Sequence, residues 1–234
     1  MKLEEIYFPT GLREIGAGAF QYCSHLKKAD LPSGLVKIDD EAFWECDRLT
    51  VDKLPGSLEE IGESAFLYCN IFENRIALPV SLRTIGKDAF YEVATDGMVD
   101  LVIPESVETI GARAFKNLYN LCCIYSRASV PPVCDFGPEY KKEDNPFYGY
   151  PLAQGILCVP IGTRELYRNA EGWKDMQILE MPVEDMPESG VECIISDSRN
   201  QEDNSLYDLN GRRVLNPVKG EIYLQSGRKV IYTK

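Results

Sequence analysis

Leu54-Pro55-Gly56-Ser57-Leu58-Glu59-Glu60-Ile61-Gly62-Glu63-Ser64-Ala65-Phe66-Leu67-Tyr68-Cys69 is the stretch that decides how this chain folds. Its markers return at a steady interval. Leu31-Pro32, Leu54-Pro55, Leu78-Pro79 and Ile103-Pro104 follow Phe8-Pro9, and the prolines step by 23, 23, 24 and 25 residues. Ile15-Gly16, Ile38-Asp39, Ile61-Gly62, Ile85-Gly86 and Ile110-Gly111 keep the same step. So do Ala19-Phe20, Ala42-Phe43, Ala65-Phe66, Ala89-Phe90 and Ala114-Phe115. Cys23, Cys46 and Cys69 form a fourth series, continued by Val93 and Leu118. The unit LPxxLxxIGxxAFxxCxxLxxxx thus occurs five times over residues 8–125, behind a partial unit at residues 3–7.

One such unit is too short to bury its own apolar side, so neighbours must stack and share a continuous core. The fold class expected is an α/β-type solenoid, mostly short β-strands with helical turns, wound as a right-handed superhelix. Proline should end the segment that most resembles a strand. The glycine after each Ile suggests a bend of unusual φ. Ala, Phe and Cys stand at helix-like spacing, so a single helical turn is expected there.

The unit resembles the BspA-like class of leucine-rich repeats, found in bacterial surface proteins and some protozoan ones. Departures are few: Asp39-Asp40 replaces the glycine step, Val93 and Leu118 replace Cys, and unit four has an insertion around Thr95-Asp96-Gly97. Residues 1–125 are expected to form the repeat array. It begins in mid-repeat without an N-terminal cap, so the chain is expected to be a piece of a longer protein, which also accounts for the lack of a secretory signal. The resemblance implies an extracellular or cell-surface location.

Residues 126–182 read as the C-terminal cap of the array. An irregular loop at 126–150 is followed by strand-like 155–160, a short helix from Arg164 to Ala170, and a last strand at 177–181. Tyr167 and Trp173 are the candidate apolar lids, and VPxGxxxxYxxAxGW resembles the segment that closes BspA-like arrays. Residues 183–189, with Glu184, Asp185 and Glu188 behind Pro182, read as an acidic linker. Residues 190–234 read as a small all-β module, with turn signals at Asn210-Gly211 and Ser226-Gly227. This tail resembles the C-terminal β-modules of secreted Bacteroidetes proteins, some used for export or attachment. Limited contact across the linker is expected, making the tail separable.

Composition narrows the function. Of 234 residues, 25 are Lys or Arg and 37 are Asp or Glu, a net charge of −12 that disfavours binding to a phosphate backbone. No run approaches the roughly 18 apolar residues of a spanning helix. The single histidine, His25, excludes any site needing two imidazoles. His25 near Cys23, Cys46 and Cys69 invites a zinc reading, but ladder cysteines are better read as small buried hydrophobes. Cys134 with Cys158 is the one pair considered for a disulfide. No phosphate loop, calcium loop or nucleophilic triad is present in the sequence. No enzyme activity, cofactor or metal is expected.

The variable strand positions carry the rest. Two and four residues before each proline, side chains should point away from the core. They include Tyr7, Lys28, Asp30, Lys53, Arg75 and Asp100, with Tyr125 in register. A carbohydrate platform would hold more aromatics than this mixed-charge face. A protein or peptide partner fits better, as in an adhesion module. A structural spacer or stalk without its own ligand is the alternative, and an unnoticed hydrolase a distant third.

Overall fold

The computed structural model describes residues 3–51, 53–70, 75–93, 99–118, 121–139, 141–149 and 156–187, together with tail strands at 206–207, 213–214, 222–225 and 228–231; the side chains at 75, 77, 99 and 122 and in the tail strands lie outside that description. Six short parallel strands follow one another along the chain: Glu14–Ile15, Lys37–Ile38, Glu60–Ile61, Thr84–Ile85, Thr109–Gly111 and Val133–Asp135. Their register sets Ile15, Ile38, Ile61, Ile85 and Ile110 side by side, with Cys134 next. All of them are buried.

A second sheet forms another side of the coil. Arg75–Ala77, Val99–Ile103, Leu121–Ser126, Ile156–Pro160 and Gln177–Met181 pair in parallel in that order. Glu5–Tyr7 pairs with Lys28–Asp30, and Lys28 bridges to Thr50. Ile76, Leu101, Ile124, Leu157 and Ile178 share one register row and one buried face. Alternate side chains therefore enter the core and the others face outward. Between the sheets each proline carbonyl accepts the N–H of the residue three on, as in Leu35 to Pro32 at 3.0 Å and Leu58 to Pro55 at 3.1 Å.

The third side departs from the expected helical turn. Its i→i−3 hydrogen bonds are present, such as Trp44 N–H to Glu41 O at 3.1 Å. But Tyr22, Glu41, Glu45, Ser64, Tyr68, Asp88, Glu92, Arg113 and Asn117 all have φ between 50° and 61°. A right-handed helix contains no such residues. The alternation turns every second N–H sideways onto the next coil: Phe20 to Ala42 O, Phe43 to Ala65 O, Phe66 to Ala89 O and Phe90 to Ala114 O, at 2.8–2.9 Å. A helical turn would aim those donors along its own axis and leave the coil-to-coil ladder unmade.

The glycines after Ile also serve another purpose than the expected bend. Gly62 and Gly86 are not in the positive-φ region. A Cβ on Gly62 would lie 2.6 Å from Asp40 N and 2.7 Å from Asp39 C, both backbone of the preceding coil. The small residue lets the coils approach.

The core is a file of aromatic rings. Phe20, Phe43, Phe66, Phe90 and Phe115 stack at centroid distances of 5.3–5.5 Å with interplanar angles of 15° or less. Beyond Tyr125 the coil does not give way to an irregular loop. Phe147 stacks on Phe115 at 5.7 Å and 5°, and Arg113, Phe115 and Asn117 donate their N–H groups to Asp144, Pro146 and Tyr148. Arg113 also joins Asp88 and Asp144 at 2.6 Å each, tying this added rung to the array. Trp173 meets Phe147 at 4.9 Å and Tyr167 edge-on at 5.4 Å. Both closing rings are fully buried, with Trp173 Nε1 donating to Pro132 O and Tyr167 Oη to Ala128 O, each at 2.9 Å. The helix between the last two strands spans Arg164–Arg168.

Within the expected linker, Val183–Asp185 forms a 3₁₀ turn and Met186 is buried. Arg127 donates to the carbonyls of Met186 and Pro187 at 3.3 and 3.1 Å. Further on, Leu206–Tyr207, Arg213–Val214, Ile222–Gln225 and Arg228–Ile231 pair as an antiparallel four-stranded sheet. Val191 to Ile195, expected as a fifth strand, lies outside the described residues.

Candidate functional site

The outward face on this side of the coil, carried by the Glu5–Tyr7 and Lys28–Asp30 pair and then by the five-stranded sheet, divides in two. On its N-terminal coils it is open. Tyr7 is 71% exposed and its hydroxyl donates to Glu5 Oε2 at 3.0 Å. That hydrogen bond raises the Tyr7 pKa. Lys28 pairs with Asp30 at 3.3 Å, each about half exposed, and Lys53 is exposed on the next coil. Tyr7 and Asp30 are direct Cα partners in the register, and Lys28 shares the strand of Asp30. Arg75 and Asp100 are direct Cα partners in the register, with Asp100 half-buried; the Arg75 side chain lies outside the described residues.

On its C-terminal coils the face is closed. Tyr125 points outward as its alternation requires, yet only 2% of it is exposed. It belongs to an apolar cluster with Val102, Cys123, Ile156, Cys158, Leu179 and Met181, into which Met186 packs. Tyr125 is therefore removed from the expected face. The reason is that its register row runs Val102, Tyr125, Cys158, Leu179, an apolar strip that water does not stabilise. Val51, four residues before Pro55, is also buried.

The cysteines behave as hydrophobes. Cys46 Sγ donates to Phe20 O at 3.1 Å and Cys69 Sγ to Phe43 O at 3.0 Å, each reaching back one coil. His25 Nδ1 lies 3.3 Å from Ser24 Oγ instead of facing a cysteine. Among the described residues no group of three or more His, Cys, Asp or Glu converges on a metal site. Cys134 and Cys158 are free thiols on different sheets, so the disulfide considered for them is not formed.

Burial pushes the Cys46 thiol from 9.0 up to about 12, and Cys69 well above its ordinary value. The unfolded chain releases those protons near pH 9, while the folded chain holds them until far higher. Stability that is complete below about pH 9 is then lost progressively toward about pH 12, because only the unfolded state gains from ionisation. The melting temperature should fall as pH rises from about 8 to about 10.5, and Cys46→Ala should flatten part of that slope. An equal slope in the variant would contradict burial of this thiol.

Parallel sheets on two sides of the coil, a turn ribbon and a shared ring-stacked core define a leucine-rich repeat solenoid. The family model for the BspA type leucine rich repeat region matches residues 1–124 in six copies. The chain belongs to that family. Among solved structures it is similar to a leucine-rich repeat protein from Bacteroides ovatus ATCC 8483, at 21% identity and a TM-score of 0.46. That likeness covers 76% of this chain and 55% of the other. No curated protein matched the sequence.

Proposed function

We propose that this chain is a non-catalytic, adhesion-type interaction module of a secreted or cell-surface bacterial protein, and that it binds a protein or peptide through the open strand face of its N-terminal coils. One observation carries the reading. Among the described residues Tyr7, Lys28, Asp30 and Lys53 present exposed side chains of mixed charge, while the C-terminal strands on the same side of the coil turn theirs into the apolar cluster. Arg75 and Asp100 extend that face in register. Interfaces of this kind gain specificity from charge complementarity more than from area.

The tail strands support a second part of the proposal, a small β-module beyond Pro187 that serves in sorting or anchoring. The experiment for the face is substitution of Lys28, Lys53 and Arg75 together by alanine. Adhesion to cells or extracellular matrix should fall about tenfold or more, since truncated hot-spot charges in an interface commonly cost about 2 kcal/mol. The melting temperature should stay within a degree or two, Lys28 and Lys53 being exposed. Unchanged adhesion would leave the spacer reading, which the ring-stacked core also fits.

A further inference from the structure

A second surface lies on the turn ribbon, away from both sheets. The residue after each Phe and the one after that point outward there: Gln21-Tyr22, Trp44-Glu45, Leu67-Tyr68, Tyr91-Glu92 and Lys116-Asn117. Tyr22 is 54% and Tyr68 41% exposed. Their rings touch across coils: Tyr22 with Trp44 at 5.1 Å, and Tyr68 edge-on to Tyr91 at 5.7 Å.

Further along the ribbon the chain fills this surface itself. The Lys116 ammonium sits over the Tyr91 ring at 5.4 Å and over the Tyr148 ring at 5.0 Å. Beside it Asn117 donates to Glu92 at 2.8 Å and Arg113 engages Asp88. Each ring and each carboxylate at this end has a cationic or amide partner. On the second and third coils the same positions hold Trp44, Glu45, Leu67 and Tyr68, with no lysine or arginine among them. Among the described residues Glu45 joins no ion pair, and the charges of Glu92, Glu45 and Asp88 bear on Tyr68. Aromatic faces beside an unmatched carboxylate, here that of Glu45, attract an ammonium or guanidinium group. A chain of net charge −12 favours the same sign of partner.

We propose that Tyr22, Trp44, Glu45 and Tyr68 form a docking surface for a lysine- or arginine-bearing segment of a protein partner, whose cation takes the place that Lys116 occupies two coils further on. This surface is separate from the sheet face and stands or falls without it.

The test is a fluorescence titration of the full chain with an oligolysine peptide. Trp44 is partly exposed and Trp173 fully buried, so Trp44 reports. A saturable change in emission is expected. Tyr68→Asn and Glu45→Asn should each weaken it about fivefold, and together about twentyfold. Asn tolerates the positive φ at both sites, as Asn117 does at the matching place, so the variants should keep the wild-type melting temperature. The Lys28→Ala, Lys53→Ala variant should titrate like wild type. Absence of a saturable change, or equal titration of wild type and the double variant, overturns the proposal. Self-association of the full chain that the double variant abolishes would give the surface to a second copy and overturn it as well.

Discussion

Phe66→Ala should lower stability by about 3–5 kcal/mol, as for other buried phenylalanines. The ring is fully buried and lies between Phe43 at 5.4 Å and Phe90 at 5.5 Å. Its removal leaves a void and breaks two ring stacks, each worth about 1 kcal/mol beyond burial. In a chain of this size the loss is a fall of roughly 10 °C in melting temperature. Because coils contact only their neighbours, the cut falls in the middle of a nearest-neighbour chain. Calorimetry should therefore show a broadened or divided transition. Tyr7→Ala, on the open face, should shift the midpoint by no more than a degree or two. Equal shifts for the two variants would mean that the assigned register is wrong.

Gly86→Ala should be of similar size for a different reason. A Cβ there would stand 2.6 Å from the Gly62 carbonyl oxygen and closer still to the Gly62 carbonyl carbon. Both atoms are backbone, so no side chain can swing aside and the coil itself must move. Forced overpacking of this kind costs about 3 kcal/mol or somewhat more. Gly16→Ala is the control, since nothing lies within 4 Å of the added methyl. Its effect should be near zero. A thermal melt of the pair separates close approach from a general intolerance of alanine at this repeat position.

The repeat period placed the Ile and Phe files correctly, because each depends only on spacing. The turn ribbon was not legible. Apart from Gly18, its positive-φ positions carry Tyr, Glu, Ser, Asp, Arg and Asn, and what holds them there is a hydrogen-bond ladder to a coil about 23 residues away. The added rung at Phe147 escaped notice because Pro146 stands where Ala stood and Phe147 follows Phe115 by 32 residues. Asn145-Pro146-Phe147 was the available signal. For Tyr125 the alternation was right and the exposure wrong. Its apolar neighbours come from strands at 156–160 and 177–181 and from Met186, contacts that no local pattern reveals. The aromatic ribbon edge was hidden likewise, since Tyr22, Trp44, Tyr68 and Tyr91 occupy two different offsets within the unit.

The sheet face is tested most directly by lysine acetylation of the protein, free and bound to an extracellular-matrix surface, read by mass spectrometry. Lys28 and Lys53 should lose reactivity on binding, while the exposed Lys141, Lys142 and Lys174 keep theirs. Unchanged acetylation of Lys28 and Lys53 in the bound protein would contradict recognition through the open strand face of the N-terminal coils.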